Sequence, residues 1–351
     1  MAPHNKYSGT DGLDGSLQFE LNNGENTGPG HGTTLSFFGN YLTTRSSIAD
    51  LIAAGVYASV RSCGGPAVPL RFGRVDAVEA GNGGVPQPQN SASTFTTQFD
   101  RMTFTKAEMI QLVACGHTLG SVHSTEFPQI VTAAQGQIAF DSSNAVYDNK
   151  VAAEYVAGTT TNPLVGGPAA LPSVNRNSDF KVFNSDGNVT IAAMADATFY
   201  RNTCQNVLQK MIEVVPDGVT LSDVITPYAV KPVDMQLTMN AGASSFLLTG
   251  SIRVRTTTLS ADSIQNLVLT WKDRNGGNSC GSSATCSVTA TLQGVANGFD
   301  DTFAVCRAPQ NWPNSPLLTI PVLPHRGDHP GCVWYLVLHP RAEPRRREPD
   351  L

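Results

Sequence analysis

No stretch of this chain approaches the roughly 20 consecutive apolar residues that a membrane-spanning helix requires. The longest candidate, Val333 to Leu338, is only strand-length, so no membrane partner is expected. The chain also lacks any Cys-x-x-C pair, which argues against a structural zinc site. It has no concentrated cationic face. Its 23 Lys and Arg stand against 28 Asp and Glu, and the basic residues are dispersed except at the extreme C-terminus. Nucleic-acid binding needs such a face and is therefore not expected. The start, Met1-Ala2-Pro3-His4, carries no apolar signal-peptide core. Tryptophan is scarce: Trp271, Trp312 and Trp334 are the only three.

What is present suits a globular protein. At 351 residues, 40% hydrophobic and 15% charged, the chain can bury a large core and still form a second, smaller domain. Seven cysteines is an odd number, so at least one has no partner within the chain. Cys280 and Cys286, separated by small residues in a strand-rich region, read as a hairpin disulfide. Asn188-Val189-Thr190 fits a glycosylation sequon.

The hydrophobic period changes along the chain. Residues 1–228 read as helices joined by Gly, Pro and Asn loops, with helices expected over 47–60, over 105–114, and from Asn188 to Val214. Gly81 to Pro88 can be neither helix nor central strand. After Pro232 the alternation approaches period 2, in Phe246–Thr256, Leu267–Trp271 and Cys286–Leu292, with Asn275-Gly276-Gly277 as a turn. Residues 229–306 are accordingly expected to form a β-sandwich. The Pro/Arg-rich stretch 307–351 is expected to be disordered.

The second expected helix ends in Ala114-Cys115-Gly116-His117-Thr118-Leu119-Gly120-Ser121-Val122-His123. A histidine at a buried helix end between two glycines suits a metal ligand in a tight slot, because Gly116 and Gly120 let a flat group approach the backbone. The plainer reading of such a histidine is a hydrogen-bonded core residue. A zinc-hydrolase site from Cys115, His117 and His123 is a further rival. Cys115 reads as a small buried filler, His123 as structural or surface, and Arg74 with Asp76 as a structural ion pair.

This run resembles the proximal-histidine helix of haem peroxidases, the fungal secreted (class II-like, ascomycete) type in particular. Other blocks stand in that family's order: Asp11-Gly12-Leu13-Asp14-Gly15-Ser16, Phe19-Glu20-Leu21 with Glu25-Asn26, Ala49-Asp50-Leu51-Ile52-Ala53, Cys63-Gly64-Gly65-Pro66, Pro69 to Asp76, Phe140-Asp141-Ser142-Ser143 with Tyr147-Asp148-Asn149, and Ser178-Asp179-Phe180. The resemblance covers residues 1 to about 225. It implies a mainly α fold: a helical haem-peroxidase domain over 1–228, followed by the small sandwich and the tail.

The resemblance also implies site residues and partners. His117 would bind the iron of haem b, with Asp179 as the carboxylate that makes the imidazole more basic. Helix capping is the plainer reading of Asp179. Phe140 would lie beside the ligand, and Asn26 would orient the distal histidine. A proximal Ca²⁺ would take Thr118, Asp141, Ser143, the Val146 carbonyl and Asp148, hard oxygen donors of the kind calcium prefers. A distal Ca²⁺ would take the Gly12 carbonyl, Asp14 and Ser16, and this set is incomplete.

The family's distal arginine, histidine and aspartate precede the segment matching Met1 to His4. The chain is accordingly expected to be truncated, from a gene model starting at an internal methionine. His4 is a poor substitute base, lying outside the matched helix. The implied activity is H₂O₂-dependent one-electron oxidation of small organic, phenolic-type donors, in the response to oxidative stress, by an extracellular monomer. Because no tryptophan falls in the first 228 residues, long-range oxidation of lignin through a surface tryptophan is excluded. The alternative is a haem-binding or structural module without turnover, since the distal pair is absent from this chain.

Overall fold

The computed structural model describes residues 2–239, 246–264, 266–270, 287–307 and 333–337. Cys280, Cys286, the 275–277 turn, Trp271, Trp312 and the basic C-terminal segment lie outside the described residues. The chain divides into two compact units, Met1–Ile225 and Thr226–Leu351.

The first unit holds α1 (Gly30–Gly39), α2 (Ile48–Ser62), α3 (Ala92–Arg101) and α4 (Lys106–Gly116). These are followed by the paired strands β1 (Ser121–His123) and β2 (Gln137–Ala139), then α5 (Lys150–Ala157), α6 (Ser178–Phe183), α7 (Val189–Ala193) and α8 (Ala197–Glu213). Local chemistry explains several boundaries. Ser47 caps α2 by accepting the Asp50 N–H. Thr105 opens α4 with a full capping box, in which its hydroxyl takes the Glu108 N–H and the Glu108 carboxylate takes its own. The single helix expected from Asn188 to Val214 is two, because the Asp196 carboxylate caps a new helix by accepting the Phe199 N–H at 2.8 Å. Gly81 to Gln87 are neither helix nor strand.

Helix α4 is the centre of this unit and packs against α3, α6, α7 and α8. Met109, Ile110, Leu112, Ala114 and Cys115 are all buried. That is more than one stripe, as expected of a helix enclosed by others. Phe183, Ile191, Leu208 and Ile212 join the same core. Each such side chain contributes about 1.5–3 kcal/mol by leaving water.

Among the described residues the second unit forms one sheet in place of the expected sandwich. It contains β3 (Val230–Met239), β4 (Phe246–Arg255), β5 (Asn266–Thr270), β6 (Ser287–Asn297), β7 (Thr302–Arg307) and β8 (Val333–Val337). Their order is β3-β4-β7-β6-β5-β8. Strand β6 joins what would otherwise be two sheets. Its first residues pair with β5 (Leu267 opposite Ala290), and after them it pairs with β7, with a register shift between Leu292 and Gly294. A bulge there bends the strand so that one continuous sheet curls. Strand β8 pairs parallel with β5 and falls within the stretch expected to be disordered.

The expectation of a mainly α chain is overturned. Helix makes up 34% and strand 17%, so the chain is mixed α and β. Long irregular segments separate the helices of the first unit, and the second is built on strands.

Candidate functional site

His117 is the residue that ends α4, and its own N–H still closes the helix onto Val113 O at 2.9 Å. Its Nδ1 lies 2.8 Å from Asp179 Oδ2. Asp179 sits in the first turn of α6, is completely buried, and directs its carboxylate to the imidazole rather than capping its helix. Asn162 holds that carboxylate in place, donating Nδ2 to Oδ2 at 2.8 Å while accepting the Leu164 N–H at 2.8 Å. Ser178 donates its hydroxyl to Oδ1. The ring of Phe140 stacks on the imidazole, centroids 4.2 Å apart and planes within 5°.

With Nδ1–H donated to Asp179, Nε2 carries the lone pair. No described residue occupies it. The His117 side chain is 33% accessible while that of Asp179 is 1% accessible, so the pair is sealed on one edge and open on the other. Burial by itself lowers the basicity of the imidazole, but the neighbouring carboxylate outweighs it and lifts the pKa above the usual histidine value.

The open edge faces a cavity of about 590 Å³. Val113, Val122, Phe127, Ile130, Phe140 and Leu164 give it an apolar wall, and Pro86-Gln87-Pro88 and Thr27–Gly30 form another side. Apart from the adjoining residues and the helix's own backbone, no protein atom lies within 4 Å of where a Cβ would stand on Gly116 or Gly120. Gly120 has φ +89°, a conformation that favours glycine.

A second cluster adjoins the ligand on its C-terminal side. Thr118 donates its hydroxyl to Asp148 O at 2.8 Å. The Ser143 hydroxyl reaches Asp141 Oδ1 at 3.3 Å and Asp148 Oδ2 at 2.9 Å. Val146 belongs to the same loop through its N–H on Ser143 O. Asp141 is 2% exposed, and its Oδ2 is a buried oxygen with no hydrogen-bond partner. Burial, with further repulsion from Asp148 and Glu154, raises its pKa. A cation would relieve all of this.

The remaining candidates sit elsewhere. Asp14 and Ser16 are buried together, with the Ser16 N–H on Asp14 Oδ1 at 3.1 Å. Gly12 lies against the Val214–Val215 backbone, which leaves no room for a Cβ. Asp11 and Glu20, which belong to the matched blocks but were given no site role, converge with Ser16 around Gly81. Asn26 donates Nδ2 to Glu20 O at 3.1 Å and does not line the cavity. Nor does His4, which is bonded to Asp11 O at 2.8 Å. His123 does line it. Asn188 of the sequon is exposed, its Oδ1 accepting the Tyr155 hydroxyl.

Two sequence expectations are corrected. Cys115 is not a filler but half of a disulfide with Cys204, which also removes it from any zinc site. Among the described residues no three His, Cys, Asp or Glu side chains cluster as metal ligands. Arg74 pairs not with Asp76 but with Asp50, at 2.9 Å. Asp76 instead accepts the Ile48 and Ala49 N–H groups at the start of α2, both at 2.9 Å. Neither pairing could be read from sequence spacing, because both partners come from other elements.

The sequence model of the family described as "Peroxidase" matches residues 4–247. The chain belongs to the peroxidase family. Among peroxidase relatives, L-ascorbate peroxidase 5, peroxisomal, of Arabidopsis thaliana is 34% identical over 38% of this chain and 48% of its own length. The mitochondrial cytochrome c peroxidase of Yarrowia lipolytica is 34% identical over 22% of this chain and 23% of its own. A WSC domain-containing protein of Arthroderma benhamiae is 50% identical over 87% of this chain but only 42% of its own length. The chain thus spans under half the length of each of these relatives.

The peroxidase family implies haem. An apolar cavity within the usual size range for a cofactor site, entered by an imidazole with a free Nε2 and a carboxylate behind it, fits that group.

Proposed function

We propose that this chain is the catalytic part of a secreted fungal haem peroxidase that uses H₂O₂ to oxidise small phenolic-type donors by one electron at a time, in the response to oxidative stress. His117 would hold the haem b iron through Nε2. Bound there, haem would supply the two-electron reduction of peroxide and return of the electrons from donors. The chain's own residues tune the ligand. Asp179 keeps the proton on Nδ1 and makes the imidazole a strong donor, which favours cleavage of the O–O bond over reversible oxygen binding. Asn162 fixes the carboxylate, Phe140 fixes the ring plane, and the apolar wall keeps bulk water from the ligand.

The observation that carries this reading is the His117–Asp179 pair opening onto an apolar cavity. The Thr118, Asp141, Ser143, Val146 and Asp148 loop would hold Ca²⁺, supported by the unpartnered Asp141 Oδ2. Gly12, Asp14 and Ser16 are a second, incomplete calcium set. The Cys115–Cys204 disulfide supports export to an oxidising compartment. We read the chain as a monomer.

Relatives are named for ascorbate and for cytochrome c, so donor choice is the finer test. The chain, reconstituted with haem, should show a Soret band and H₂O₂-dependent turnover. Rates with a phenol should exceed those with ascorbate or reduced cytochrome c. Haem binding with only free-haem turnover would defeat the catalytic reading. Turnover that favours ascorbate or cytochrome c would defeat the phenolic one.

A further inference from the structure

A helix leaves its last four carbonyls without an intrahelical partner. In α4 the Val113 carbonyl takes the His117 N–H, but the next two are taken by phenols from elsewhere in the chain. Tyr200 donates its hydroxyl to Ala114 O at 2.8 Å, and Tyr147 donates its hydroxyl to Cys115 O at 3.0 Å. Cys115 is in addition bonded covalently to Cys204.

Tyr200 and Cys204 stand four residues apart on α8, hence on one face, and that face grips two consecutive residues of α4. Tyr200, Cys204 and Tyr147 are 1%, 0% and 6% exposed, so solvent does not loosen these ties. On the other side of His117, Thr118 is bonded to the carbonyl of Asp148, the residue after Tyr147. Residues three and two before His117 and the one after it are therefore all tied to other segments. Asp179 and Phe140 orient the ring, and these ties, together with the His117 N–H on Val113 O, hold the backbone that carries it.

We propose that Tyr200, Cys204 and Tyr147 are positioning residues that set where the His117 imidazole stands, and thereby the strength of its bond to a metal at Nε2. The proposal rests on the reading of His117 as the axial ligand. None of the three lines the cavity, so they act through His117. The effect is expected to be large, because a misplacement of about 1 Å at a reacting centre can cost about 10²-fold.

The test uses the full chain with Tyr200→Phe, which removes one oxygen and keeps the ring, and a Cys115→Ala/Cys204→Ala double variant. Ile212→Val, on the same helix two turns beyond Cys204, is the control for general loosening. In the haem-free protein, hydrogen exchange at the His117 amide should be at least tenfold faster in Tyr200→Phe and in the cysteine variant than in the control. In the reconstituted ferrous protein, the iron–imidazole stretching band should shift in both variants and stay in place in the control. The proposal is overturned if His117 exchange rises no more than in Ile212→Val, or if exchange rises and the band does not move. Should the cysteine variant fail to fold, Tyr200→Phe decides alone. A wild-type chain with no iron–imidazole band would defeat the ligand reading instead, and the exchange arm would still decide whether these residues hold His117.

Discussion

Asp50 and Asp179 are both buried carboxylates, 2% and 0% exposed, and each faces a cationic or basic partner. Around Asp50 every group is matched. Its oxygens accept the Gly73 and Arg74 N–H groups and the Arg74 guanidinium, whose other nitrogens donate to Ile212 O. The result is a closed ion pair that fastens α2 to the Gly73–Arg74 segment and to the end of α8. Around Asp179 the closure is one-sided. His117, Asn162 and Ser178 satisfy the carboxylate, but His117 Nε2 is left facing a cavity. Buried charge alone does not mark a site. The atom left over, pointed into space that a ligand can fill, does.

Mutation can break the comparison at either end. The largest effect is expected from Arg74→Met, which leaves Asp50 buried without its cation and should lower stability by about 3–5 kcal/mol. Urea unfolding would measure it, and the folded fraction should keep the wild-type Soret position. A pair that also tuned the ligand would shift that band.

Next comes calcium removal. A ligand held at 100 times its Kd stabilises the fold by about 2.7 kcal/mol, so chelation should lower Tm, and added calcium should restore it. Asp141→Asn should abolish the response. An unchanged Tm in the parent chain would mean that the loop holds no cation.

Asp179→Asn keeps the shape and removes the charge behind His117. Loss of such a partner costs about 10–100-fold in metal affinity or activity, with far less effect on urea unfolding than Arg74→Met. Equal losses of stability in the two variants would erase the distinction between a closed pair and an open one. The smallest effect is expected at the opposite end of α4, where Thr105→Ala removes a cap worth about 1 kcal/mol and should leave the haem spectrum untouched.

The starts of α2 and α4 fell within one residue of those expected, and a short polar side chain, Ser47 or Thr105, caps each. The break before α8 was not legible, because Asp196 lies inside a periodic apolar pattern and only its hydrogen bond shows that it begins a helix. Helix α3 also escaped, since within Ala92–Arg101 only Phe95 and Phe99 are buried among Ser and Thr. Period-2 alternation revealed β4, β5 and the first part of β6, but not β3, β7 or β8. It could not tell one curled sheet from two packed ones, a difference that turns on the local bend in β6.

At the site, the resemblance to a family drew attention to His117 and Asp179, which lie 62 residues apart in sequence. Sequence did not reveal the roles of Asn162, Tyr200 or Tyr147, which act through hydrogen bonds to residues distant in the chain. The disulfide joins cysteines 89 residues apart, and seven cysteines admit too many pairings to choose it from spacing.

The most direct measurement is the spectrum of His117→Ala reconstituted with haem beside the wild-type chain. The account predicts that the variant loses the iron–imidazole signature, changes its Soret band and spin state, and recovers both on addition of free imidazole. A His117→Ala protein with the same band, spin state and haem affinity as wild type would contradict it.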